Sequence, residues 1–192
     1  MGTDVRQRLF VALIPPQPIQ DYANEIKQQF ADRYASRAAQ KSPPHITLQP
    51  PFEWPLSDLP QLEQQLGAFA ATQVAISIDL HGFAAFPPRV IYLDVERTPE
   101  LLELQQRLTI WLQATLGIID GRAAGRSFKP HMTVAFRDLT KQNFHLAWSE
   151  FQGRSLQLAW RATDLSLLKH DGQRWQVHHN FPLAIAAADS PS

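Results

Sequence analysis

Apolar positions along the chain switch between two periods, and the switches mark the elements. "RLFVALIPP" (8–16) is a continuous apolar run closed by two prolines and reads as a buried strand. The stretch that follows, "QPIQDYANEIKQQFADRYASRAAQ", sets Ile19, Tyr22, Ile26 and Phe30 at helical spacing and predicts an amphipathic helix. "HITLQPPF" returns to strand character. Pro50 and Pro51 lack the N–H that a central ladder needs, so they stop this strand or confine it to a sheet edge. "SDLPQLEQQLGAFAAT" predicts a second helix with Ser57 or Asp58 as its cap. "VAISIDLHGFAAF" and "RVIYLDVE" read as a strand pair joined across Pro87 and Pro88.

The order then repeats. "TPELLELQQRLTIWLQATLG" is a helix with Thr98 as N-cap, Pro99 in the first turn and Gly117 at the end. "GIIDGRAAGRSF" is a glycine-containing loop, "HMTVAF" a short strand and "LTKQNFHLAWSEFQG" a short helix. "SLQLAWRATDLSLLKHDGQRWQVHHNFPL" reads as strands turning at Asp171-Gly172, and residues 184–192 read as a flexible tail. Each half therefore contains a helix, a histidine-bearing strand, a helix and further strands. The expected fold class is α+β: antiparallel sheets with helices on their outer faces, in one bilobal domain over 1–192.

The 192 residues suit one compact domain or two small lobes. Lys plus Arg equals Asp plus Glu at 18 each, which leaves no basic excess to hold a long nucleic-acid tract. A terminal phosphate needs only a local cation and stays open. Without cysteine there is no disulfide, thiolate metal site or thiol nucleophile, and a reducing, cytoplasmic setting is expected. The N-terminal apolar run is too short for a signal-peptide core or a membrane span. A monomer is expected.

"PPHITLQPPF" (43–52) and "KPHMTVAF" (129–136) share one pattern: proline, histidine, an apolar residue, threonine, an apolar residue. In a strand, residues i and i+2 point to one face, so His45 projects with Thr47 and His131 with Thr133. Ile46, Leu48, Met132 and Val134 anchor the opposite faces. If the halves face each other, two imidazoles and two hydroxyls converge. That set suits displacement at phosphorus. One imidazole removes a proton from the attacking oxygen, the other protonates the leaving oxygen, and the hydroxyls donate to the non-bridging oxygens. Neither motif supplies the carboxylate that a metal site on these histidines would want, so no metal and no cofactor are expected. A Ser-His-Asp hydrolase is disfavoured by the lack of a Gly-x-Ser-x-Gly turn.

On these motifs the chain resembles the two-histidine (2H) phosphoesterase superfamily, in its 2′-5′ RNA ligase-like branch. "RLFVALIPP", "GFAAFPPRVIYLDV" and "FKPHMTVAF" resemble that family in content and order, over residues 8 to 182. The resemblance implies two pseudo-symmetric lobes around a central cleft holding both motifs. It implies 2′,3′-cyclic phosphodiester chemistry on an RNA end or small nucleotide, in some members with 2′-5′ ligation. It also implies His45 and His131 as the catalytic pair, with Thr47 and Thr133 holding phosphate. A nucleotide-binding module without turnover is the alternative. "QPPFEW" departs from the family's commoner apolar-plus-glycine continuation and bears on specificity.

Further candidates for substrate contact are Arg126 and Lys129, which precede the second motif and would steer a phosphate. Phe52 and Trp54 would stack on a base or pack a loop. Phe83 and Phe86 line the core or the cleft wall, and Arg89 approaches the cleft from the central strand pair. His178 and His179 are adjacent in a strand and face opposite ways, which excludes joint chelation.

Overall fold

The structure is a computed structural model that describes residues 5–119 and 127–184. Its strands are β1 (Arg6–Leu13), β2 (Ile46–Pro55), β3 (Ile76–Phe86), β4 (Val90–Val95), β5 (His131–Ala135), β6 (Gln157–Ala162), β7 (Asp164–His170) and β8 (Trp175–Pro182). Its α-helices are α1 (Gln17–Tyr34), α2 (Leu59–Ala70), α3 (Pro99–Leu116) and α4 (Lys141–Phe151), with 3-10 turns at Ala38–Lys41 and Leu56–Asp58.

Two four-stranded antiparallel sheets form, in the orders β2-β1-β7-β8 and β5-β4-β3-β6. The α+β expectation holds. The two strands that continue the motifs, β2 and β5, occupy corresponding edges. The segments β1-α1-β2-α2 and β4-α3-β5-α4 repeat strand, helix, motif strand, helix. The strand runs on through Pro50 and Pro51 to Pro55: successive N–H groups point to opposite edges, so one missing donor faces away from β1 and the other falls in the irregularity between the Leu9–Phe52 and Val11–Gln49 pairs.

The first helix of each repeat crosses to the other sheet. α1 packs on β5 and α4, while α3 packs on β2, where Gln105 Nε2 donates to the Leu48 carbonyl at 3.3 Å. One continuous core joins the sheets. It takes in Leu9, Val11 and Leu13 of β1, Ile46 and Leu48 of β2, Leu93 of β4, and Met132 and Val134 of β5. On the opposite face of β1, Phe10 and Ala12 form a separate small cluster with Leu168.

The caps of α3 are those its sequence specifies. Thr98 Oγ1 accepts from the Leu101 amide at 3.3 Å, and Gly117 closes the helix at φ +66°. The cap of α2 differs: Asp58 stands at the N-cap position, but its side chain makes no capping hydrogen bond. α1 ends at Tyr34 rather than continuing to Gln40, because Asp138 captures the segment after it. The Asp138 carboxylate accepts from Ser36 Oγ and from the amides of Arg37 and Ala38, at 2.8–2.9 Å. The Asp171-Gly172 turn forms as expected, with Gly172 at φ +102°. Ala184, counted above with the tail, pairs with Val74, and 185–192 lie outside the described residues.

Candidate active site

His45 immediately precedes β2 and His131 opens β5. Each imidazole Nδ1 lies 2.7 Å from the carbonyl oxygen two residues earlier, Pro43 for His45 and Lys129 for His131. A carbonyl oxygen only accepts, so Nδ1 carries the proton in both rings and Nε2 holds the lone pair. The sequence provides for this locally. Pro44 and Pro130 restrict the residues before them to extended conformations, which helps aim the accepting carbonyls.

The ring neighbours differ between the halves. His45 packs on Phe10 with centroids 4.8 Å apart, and Phe10 touches Trp175 at 4.7 Å. His131 sits against Phe86 at 5.1 Å and Tyr92 at 5.3 Å, and those two rings meet at 4.6 Å. Thr47 pairs opposite Ala12 and Thr133 opposite Tyr92, so each hydroxyl shares the face of its histidine's aromatic neighbours. Neither hydroxyl bonds to a described residue, and both threonines are half-buried. Behind them Ile46, Leu48, Met132 and Val134 are buried, as the alternation requires.

β2 and β5 are in contact, and the field of His131 reaches His45. The two motifs therefore share one electrostatic environment. Burial pushes the His45 imidazole down to about 4; the Pro43 carbonyl opposes this, and the Lys27 and His131 charges add to it. Burial likewise lowers His131, against the Lys129 carbonyl. Both rings are therefore held neutral at neutral pH, with Nε2 able to accept a proton.

Lys27 escaped the sequence reading. It lies on the buried stripe of α1 with Ala23, Ile26 and Phe30, and its ammonium donates to the Ser42 carbonyl at 2.8 Å. Burial lowers its pKa to about 8. The signal was present in the pattern: a lysine one position from Ile26 and three before Phe30 sits on the apolar stripe and not on the solvated face.

The residues expected to contact substrate lie in different places. Phe52 pairs opposite Leu9 and Trp54 opposite Gln7, which turns both onto the core face of the sheet, away from Thr47. The Trp54 indole donates to the Asp58 carbonyl at 3.0 Å. Phe83 is buried in the core against Phe151, 5.1 Å between centroids, while Phe86 borders His131. Arg89 is exposed on the turn that follows Phe86. The Lys129 side chain is exposed, and its backbone carbonyl is what holds His131. Arg126 lies outside the described residues. A bulge between Leu167 and Leu168 breaks simple alternation in β8, and His178 bonds Glu63 at 2.6 Å. Among the described residues no three His, Cys, Asp or Glu side chains group as a metal site would require.

A two-sheet α+β frame with matched histidine-led edge strands defines the class of molecule. The sequence profile of the 2′-5′ RNA ligase superfamily matches residues 15–174, and the chain belongs to that family. It is 28% identical over 177 residues to "Putative phosphoesterase GK0864" of Geobacillus kaustophilus, covering 89% of this chain and 93% of that one. A namesake from Bacillus cytotoxicus is 31% identical over 130 residues, 67% and 69% of the two chains. The fold is similar to TT0787 of Thermus thermophilus, with TM-score 0.66, 24% identity and 92% and 97% coverage. It is also similar to E. coli LigT complexed with 3′-AMP, with TM-score 0.66, 20% identity and 94% and 99% coverage. Among the described residues no helix is long and apolar enough to cross a membrane.

Proposed function

We propose that this protein is a metal-independent phosphodiesterase that opens 2′,3′-cyclic phosphate termini of RNA or of small nucleotides. The observation that carries the reading is the matched pair of imidazoles, each tied through Nδ1–H to a backbone carbonyl with Nε2 free for the substrate. Water attacks phosphorus as one Nε2 takes its proton. The P–O bond to one ribose oxygen breaks, and the other imidazole, in its protonated form, gives that oxygen a proton. The products are a phosphomonoester and a free ribose hydroxyl, and proton exchange with solvent resets the rings. Thr47 and Thr133 donate to the non-bridging oxygens as charge develops there. With a 5′-hydroxyl in place of water, the same steps join two ends through a 2′-5′ linkage.

Balanced net charge and the 3′-AMP, NADP+ and ATP complexes of LigT favour a small or terminal substrate. The protein is expected to act as a cytoplasmic monomer. The deciding experiment incubates it with EDTA and a panel of 2′,3′-cyclic nucleotides and cyclic-ended oligonucleotides. Hydrolysis should persist with chelator and vanish in both His45→Ala and His131→Ala. A strict need for added divalent metal, or activity surviving both replacements, would reject the reading.

A further inference from the structure

Beside His45 the face of the first sheet that carries Thr47 continues as a row of rings. Phe10 and Ala12 of β1 form a cluster with Leu168 of β7, apart from the main core. Trp175 packs against that cluster from the start of β8, opposite His170 in the β7–β8 ladder. The His45 ring lies 4.8 Å from Phe10, Phe10 lies 4.7 Å from Trp175, and Trp175 lies 4.8 Å from His170. Two successive ring contacts, a span that one nucleoside bridges, thus separate the imidazole from the indole. His170 is held in place: its Nδ1 accepts from the Gly172 amide at 3.1 Å, and its carbonyl accepts from Gln7 Nε2 at 2.6 Å.

The indole is half-buried, and its N–H bonds no described residue. Arg8 reaches over it, with Cζ 5.4 Å from the ring centroid. The Arg8 guanidinium is exposed and has no hydrogen bond or ion pair among the described residues. Glu53, opposite Arg8 in the β1–β2 ladder, is approached instead by Arg6 at 3.8 Å. The second sheet does not extend this far. Counted back from Ala12 and Tyr92, the partners of the motif threonines, the places of Phe10 and Arg8 fall on Val90 and Pro88. Val90 pairs with Phe86 at the end of the β3–β4 ladder, and Pro88 lies in the turn beyond it.

We propose that Trp175 and Arg8 form a subsite for the terminal nucleotide of an RNA 3′ end: its base stacks on the indole while its cyclic phosphate lies at the histidines, and Arg8 takes the phosphate on its 5′ side. A partly exposed indole offers a π surface that any base can use. An unengaged guanidinium presents paired N–H donors that match phosphate oxygens. The substrate class that fits is a chain end carrying both a cyclic phosphate and a 5′-side phosphate, in preference to a lone cyclic nucleoside phosphate. The subsite rests on the phosphodiesterase reading above for the place of the phosphorus, and base binding needs no turnover.

The test has a binding arm and a kinetic arm. Calorimetry measures binding of ribose 3-phosphate, 3′-AMP and adenosine 3′,5′-bisphosphate to wild type, Trp175→Leu, Trp175→Phe and Arg8→Gln. Wild type is expected to bind 3′-AMP about tenfold tighter than the base-free phosphate. It should bind the bisphosphate about fivefold tighter than 3′-AMP. Trp175→Leu should erase the first preference with ribose 3-phosphate unchanged, and Trp175→Phe should keep most of it. Arg8→Gln should erase the second preference alone. Equal affinity of wild type and Trp175→Leu for 3′-AMP overturns the proposal. So does equal weakening of ribose 3-phosphate, which marks a disturbed fold in place of a lost stack, or a bisphosphate preference that survives Arg8→Gln. In the kinetic arm, a dinucleotide ending in a 2′,3′-cyclic phosphate should show a raised KM in Trp175→Leu and Arg8→Gln with kcat held. If wild type turns over no cyclic substrate while the binding preferences hold, the phosphodiesterase reading falls and the subsite stands.

Discussion

Tyr92 lies directly opposite Thr133 in the β4–β5 ladder and sets its ring 5.3 Å from that of His131. Phe86 packs beside Tyr92 against the same imidazole, so two rings on neighbouring strands fix its orientation. Tyr92→Leu should lower kcat about tenfold with a smaller change in KM, because a tilted imidazole misses the reacting oxygen. Tyr92→Phe, which keeps the ring, should stay near wild type. Steady-state kinetics on a 2′,3′-cyclic nucleotide would show the difference.

The motif threonines present hydroxyls with no bond to a described residue. Removing Thr47 or Thr133 should therefore cost little fold stability and much rate. Thr47→Ala and Thr133→Ala should each lower kcat/KM by roughly a hundredfold, the scale of a lost donor to developing oxyanion charge, while serine restores most of it. Loss of stability in proportion to loss of rate would count against this role.

Phe52 and Trp54 pack on the core face. Replacing either by alanine should destabilise the fold by about 2 kcal/mol, as for a partly buried aromatic ring. Kinetics on cyclic nucleotides with different bases should keep their relative KM values. A base-selective rise in KM would return these residues to the substrate.

Lys27 is a buried charge with no carboxylate partner among the described residues, and burial lowers its pKa from 10.5 to about 8. The native state thus binds fewer protons than the unfolded chain between those values, so stability rises from about pH 8 to 10.5, and the cost of the charge is fully present below 8. Lys27→Met should stabilise the protein at pH 7 by about 2 kcal/mol, after allowing for the lost bond to Ser42, and should abolish the alkaline rise. Urea unfolding across that range would measure both.

His45 gives an acid-side counterpart. Its folded pKa near 4 lies below the ordinary 6.5, so its contribution is complete above 6.5 and is lost as pH falls toward 4. Between pH 6.5 and 5, above the range where carboxylates titrate, wild type should lose about 2 kcal/mol, and His45→Asn should lose much less. Thermal or urea unfolding at pH 7, 6 and 5 would separate them.

The motifs were legible because strand alternation is local: Pro-His-x-Thr puts imidazole and hydroxyl on one face and buries the residues between, whatever the sheet does. Helix periodicity and the Thr98 and Gly117 caps were local too, and they set α3 within a residue. What the chain could not announce depended on partners remote in sequence. Phe52 and Trp54 read equally as stacking platforms or loop packing, and only the β1–β2 ladder, with its two irregularities, set them opposite Leu9 and Gln7. α1 stopped at Tyr34 because Asp138, about a hundred residues on, binds the chain that follows. Sequence by itself determined which groups share a face of each motif strand. Only the tertiary structure decided that α1 lies across the second motif strand while its buried Lys27 bonds the Ser42 carbonyl beside the first motif, because burial and hydrogen bonding depend on distance in space.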